Sequence, residues 1–140
     1  MPGESKTLRV ATNLQGADAA GQAIRAAETF AAAIDLPPAT AMRLAIIVEE
    51  LVLNIVEHGG IAAGDCVEMS LASMGGEIGL VIEDPGTFFD PRTALPPGAL
   101  PPERGGGAGL AMVQAWGRVL SYAANGGINR LEMIIPIHET

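Results

Sequence analysis

A two-layer α/β sandwich is the fold this chain predicts: a mixed, mostly antiparallel sheet with helices layered on one face. Three observations carry it. Short segments at 8–12, 67–71, 78–84, 119–124 and 129–137 alternate apolar and polar side chains at the period of two that marks half-covered strands. Longer segments at 18–35, 40–58 and 107–116 place apolar residues at helical spacing. Gly75-Gly76 and Asn125-Gly126-Gly127 are hairpin turns, and each joins two of the strands as antiparallel neighbours.

The elements follow in order. Leu8 and Val10 alternate against Arg9 in the first strand. The first helix is Ala-rich, with Ile24, Ala27, Phe30, Ala31 and Ile34 on its apolar stripe, and Leu36-Pro37-Pro38 stops it. Thr40 is the expected N-cap of the next helix, which runs to His58 and ends at Gly59-Gly60. Its stripe is Leu44, Ile47, Val48, Leu51 and Ile55. Val67, Met69 and Leu71 share one face of the second strand; Ile78, Leu80 and Ile82 share one face of the third. From Pro85 to Arg104 no period is usable, and Pro91, Pro96, Pro97, Pro101 and Pro102 interrupt the chain. So long a loop in a small domain reads as a lid or a binding segment. Helical pattern resumes near Gly107 and runs through Leu110 and Val113 to Trp116. The last hairpin sets Leu131, Met133, Ile135 and Ile137 on one side.

Length and composition bound the answer. Residues 1–140 are expected to form one domain, long enough for a real core and too short for two. Half the chain is apolar but only 4% is aromatic, so the core must be aliphatic. No apolar run reaches the roughly 18 residues of a membrane span, and the polar stretch 1–7 lacks a signal-peptide core. The lone Cys66 excludes an internal disulfide, so a cytoplasmic location is expected. A net charge of −8 argues against direct nucleic-acid binding and suits a basic partner. The single cysteine and two distant histidines make no zinc site, and no nucleophile triad is apparent.

Chemistry concentrates in three places. Glu50, Asn54 and His58 stand at i, i+4 and i+8, on one stripe of the second helix. Asp84 continues the inward face of the third strand, where an ionised carboxylate is costly without a partner, and Pro85-Gly86 follows it. Gly105-Gly106-Gly107-Ala108-Gly109-Leu110 opens the last helix. A nucleoside triphosphate site needs these parts. Asn54 offers a neutral oxygen to Mg²⁺, which keeps several waters and needs few protein ligands. Glu50 could accept a proton from an attacking hydroxyl or water, or hold a metal-bound water. Glycine amides at a helix N-terminus approach phosphates without side-chain clash. Asp84 can accept the exocyclic N–H of adenine, and Gly86 leaves room for the base. His58 suits a helix C-terminal cap as well as a functional role.

The three motifs, in this order, resemble the ATP-binding superfamily shared by DNA gyrase, heat-shock chaperones, sensor histidine kinases and mismatch-repair ATPases. Within it the chain is most similar to the anti-sigma-factor serine kinases of bacterial partner-switching systems, from Leu8 to Ile137. Glu50, Asn54 and His58 match the Glu-x-x-x-Asn-x-x-x-His motif, and Asp84-Pro85-Gly86 matches Asp-x-Gly, with Phe89-Asp90-Pro91 after it. The resemblance implies a Bergerat-type ATP-binding fold with ATP and Mg²⁺ as cofactors. Glu50 is then the base for transfer to a serine and Asn54 the magnesium ligand. Asp84 and Gly86 meet adenine, while Gly105, Gly106, Gly107, Gly109 and Leu110 hold the phosphates under a lid at 87–104. It also implies an anti-sigma factor, a sigma-factor partner, an anti-anti-sigma (STAS-type) substrate and a homodimer. The alternative is a non-catalytic module that binds ATP, or only sequesters a partner. Two departures bear on that choice: Phe88 stands where a further glycine is common, and Pro85 removes an amide donor.

Overall fold

The computed structural model describes residues 8–58, 64–86 and 112–138, with His58 described by its backbone alone. Strand β1 (Arg9–Gln15) leads to helices α1 (Ala19–Ala33) and α2 (Pro38–His58), then to the hairpin β2 (Cys66–Ser73) and β3 (Glu77–Asp84). A helical turn at 112–116 precedes the second hairpin, β4 (Arg118–Asn125) and β5 (Ile128–Pro136). The sheet order is β1-β2-β3-β5-β4. The expected sandwich forms, and where a mixed sheet was expected all four pairings are antiparallel.

Both hairpins turn on glycine for a physical reason. Gly75 and Gly76 have φ of +53° and +90°, and Gly126 and Gly127 have +63° and +84°. Two successive positive values match the right-handed twist of the flanking strands, and only residues without a Cβ adopt them at little cost.

The inward faces of the strands meet the helices in one aliphatic core. Leu14, Val67, Met69, Leu71, Ile78, Leu80, Ile82, Leu131, Met133 and Ile135 come from the sheet. Phe30, Leu44, Ile47, Val48 and Leu51 come from the helices. Each such side chain, fully buried, contributes about 1.5–3 kcal/mol relative to exposure. On the outer face Arg130 pairs with Glu83 at 3.3 Å and Glu132 at 3.0 Å, which keeps that side polar.

Two local expectations are corrected. On α1 the buried residues are Ala19, Ala23, Ala27, Phe30 and Ala31, while Ile24 is only half-buried. Small side chains at a spacing of four form much of the buried stripe of α1, so the buried face is centred one position away from Ile24. Thr40 is not a cap. The helix starts at Pro38, whose missing N–H costs nothing in a first turn, and Thr40 is buried two residues in. Its hydroxyl donates to the Ile137 carbonyl at 2.5 Å and ties the start of α2 to the end of β5.

The C-terminus of α1 closes in a Schellman motif: Leu36 N–H bonds Ala31 O at 3.0 Å and Asp35 N–H bonds Ala32 O at 3.4 Å. Asp35 takes the left-handed position, φ +56°, at the negative end of the helix dipole. Both terms oppose an aspartate, so Asp35→Gly should raise stability by about 0.5–1 kcal/mol in urea unfolding. A loss of stability would show that the Asp35 side chain makes a compensating contact.

Candidate functional site

Helix α2 carries the first group of candidate residues. Thr40 ties the start of α2 to the end of β5. Asp84, at the end of β3, and Asn129, near the start of β5, face each other across the β3–β5 ladder.

On α2, Asn54 is 9% exposed and its Nδ2 donates to Glu50 Oε2 at 3.3 Å. Burial pushes the Glu50 carboxyl above its ordinary range; the Asn54 hydrogen bond pulls it down, and the Glu57 and Glu49 charges push it up. The donor set fits magnesium. With Nδ2 committed to Glu50, the Asn54 carbonyl oxygen is a hard neutral ligand beside a carboxylate. Among the described residues no trio of His, Cys, Asp or Glu could form a closed metal cage.

Asp84 is 4% exposed, as its inward register required. The partner it called for is Asn129, 3% exposed, whose Nδ2 donates to Asp84 Oδ1 at 3.2 Å and to Gly86 O at 2.7 Å. Gly86 N–H donates to the same Oδ1 at 2.8 Å. Pro85 therefore removes no needed donor, because the carboxylate reaches past it in an Asx-type turn. Sequence reasoning missed Asn129. Its signal was present, since it shares the inward register of Leu131, Met133 and Ile135 and is the polar residue in that series.

Glu50 and Asn54 are thus brought together, and Asp84, Gly86 and Asn129 are brought together. Gly105, Gly106, Gly107, Gly109, Leu110, the lid at 87–104 with Phe88, and the His58 side chain lie outside the described residues. Arg43, one stripe position before Ile47 on α2, stacks its guanidinium 5.6 Å from the Trp116 ring centre. That contact joins α2 to the helical turn that follows the glycine segment.

A five-stranded antiparallel sheet with two helices on one face, and a buried aspartate at a strand end, defines a small two-layer α/β domain. The chain belongs to the histidine kinase-like ATPase domain family, whose model matches residues 15–135. Two solved structures share the fold. The RsbU and RsbW domains of Rv1364c from Mycobacterium tuberculosis superpose with a TM-score of 0.63 at 18% identity, over 95% of this chain and 33% of that one. The SiaB-SiaC complex from Pseudomonas aeruginosa gives 0.58 at 14% identity, over 94% of this chain and 91% of that one. The chain thus spans about a third of the first and nearly all of the second. No curated protein sequence matches it. No helix among the described residues is long and apolar enough to cross a membrane.

Proposed function

We propose that the protein is an ATP-dependent protein-serine kinase and anti-sigma factor that phosphorylates an anti-anti-sigma partner of the STAS type. The observation that supports this most is the Glu50–Asn54 pair, a half-buried carboxylate bonded to a buried carboxamide one helical turn away. The likeness to partner-switching structures supports the same reading through the fold.

In this reading Asp84 accepts the exocyclic N–H of adenine, and Gly86 leaves space for the ring. Asn54 holds Mg²⁺ through its carbonyl oxygen; when bound, the ion neutralises charge on the phosphates. Gly105, Gly106, Gly107, Gly109 and Leu110 would supply backbone amides to the phosphates. Glu50 takes the proton from the attacking serine hydroxyl, and its raised pKa suits a base that must hold that proton. Phosphoryl transfer of this kind needs mainly positioning and electrostatic stabilisation. A sigma factor is the second partner, held by the same protein when the STAS partner is phosphorylated.

A thermal-shift titration tests the nucleotide site first. Mg-ATP at about 100 times its dissociation constant should stabilise the protein by roughly 2.7 kcal/mol, a rise of several degrees. Asp84→Asn should remove that rise. Its carboxamide can still accept from Gly86 and Asn129, but it then turns an N–H toward the adenine amine. If millimolar Mg-ATP gives no shift, the kinase reading falls and the partner-sequestering module replaces it.

A further inference from the structure

We propose that Asn129 sets the base specificity of this site by holding Asp84 as a hydrogen-bond acceptor aimed at the base. The proposal rests on the adenine reading above. Register puts Asn129 directly opposite Asp84, and both side chains are buried. The carboxamide nitrogen sits between two oxygens, Gly86 O at 2.7 Å and Asp84 Oδ1 at 3.2 Å. Neither oxygen has a hydrogen to give, so only the NH₂ end of the amide fits there. Both of its hydrogens are then spent.

Two consequences follow for Asp84. Its Oδ1 accepts from Gly86 N–H as well as from Asn129, so both of its lone pairs are engaged. The carboxylate plane is also fixed, since two donors, one in the turn after β3 and one on β5, hold one oxygen. The other oxygen keeps a constant direction and offers only acceptance. Adenine presents an N–H at its 6-position and satisfies it. Hypoxanthine and guanine present a carbonyl there, and acceptor would face acceptor in a buried site. By also holding Gly86 O, Asn129 fixes the turn that leaves space for the ring. It touches no reacting atom; it is a positioning residue.

Two substitutions separate this role from simple packing. Asn129→Asp keeps the shape but replaces the donor with an acceptor facing Gly86 O and Asp84 Oδ1. Asn129→Ala removes volume and donor together. Titration of Mg-ATP and Mg-ITP into each folded protein gives affinity ratios that global instability does not set. The parent should prefer ATP by about 10-fold or more. Both variants should narrow that preference, and Asn129→Asp should weaken ATP binding more than Asn129→Ala does. If packing were all that mattered, the alanine variant would be the weaker and the ratio would stay unchanged, which overturns the proposal. A parent that binds ATP and ITP equally also overturns it and leaves the nucleotide site standing. A parent that binds neither overturns the adenine reading and this inference with it.

Discussion

Glu50→Gln should yield a protein that is slightly more stable than its parent and transfers phosphate far more slowly. The stability half follows from burial. An acid whose pKa is raised on folding binds its proton more tightly in the folded state. It therefore favours folding at low pH and loses that contribution as the pH climbs from the unfolded value through the folded one. Whenever Glu50 is ionised, its desolvation and the repulsion from Glu57 and Glu49 oppose the fold. The neutral amide removes these terms and can still accept from Asn54. Because the carboxylate is partly screened by solvent, the gain should be small, about 1–2 °C in Tm. The activity half follows from the proposed role: losing a positioned base should slow transfer to a STAS partner by about 10²–10⁴-fold. In the parent, the acidic limb of kcat/KM against pH should lie above about 4.3, where an unperturbed glutamate would titrate. A variant that keeps its transfer rate would remove Glu50 from the base's role, and a lower Tm would mean the carboxylate is stabilising after all.

Gly117→Val should cost about 1–3 kcal/mol. Gly117 joins the helical turn at 112–116 to β4, and its N–H closes that turn on Val113 O at 3.1 Å. A Cβ placed there would collide with Met133 Cε and press on Ile134 O at 3.2 Å and Ile135 Cγ1 at 3.3 Å. Met133 Cε can swing away only within a buried setting, and Ile134 O is backbone that cannot, so the strand pair must shift to admit the side chain. Urea unfolding of this variant beside Gly64→Val separates crowding from a general dislike of branched residues in loops. Gly64 has open space around its Cβ position, so that control should stay within about 1 kcal/mol of the parent. Equal losses in the two would refute the close-packing argument.

The strands and α2 were readable from the sequence because their signals are local. Period-two alternation identified the inward residues of β2, β3 and β5, and all of Val67, Met69, Leu71, Ile78, Leu80, Ile82, Leu131, Met133 and Ile135 are buried. The stripe of α2 was equally clear at Leu44, Ile47, Val48 and Leu51. The first helix was less so. Hydrophobicity favoured Ile24, while the buried stripe runs through the alanines at 19, 23 and 27. Strand β1 also runs past the expected end at Thr12. Leu14 is buried, and the Gln22 carboxamide bonds both the N–H and the C=O of Gln15 at 3.1 Å, as a neighbouring strand would.

The candidate site divides in the same way. Glu50 and Asn54 are one helical turn apart, so their contact follows from spacing alone. That Asp84 faces inward and needs a partner also followed from the sequence, by strand parity and the cost of burying a charge. The identity of that partner did not. Asn129 lies 45 residues further along the chain, and only the β3–β5 register sets the two side chains opposite each other. Likewise Gly117 carries no turn signature; its constraint comes from Met133 and Ile135 on the neighbouring strand. By itself the sequence determined the element order, the inward faces and the three motifs, because helical and strand periodicities are written within a few residues. Only the tertiary structure decided which buried polar groups meet and where a Cβ is forbidden, because those depend on how distant strands align, and a shift of one residue would turn Asn129 to the opposite face.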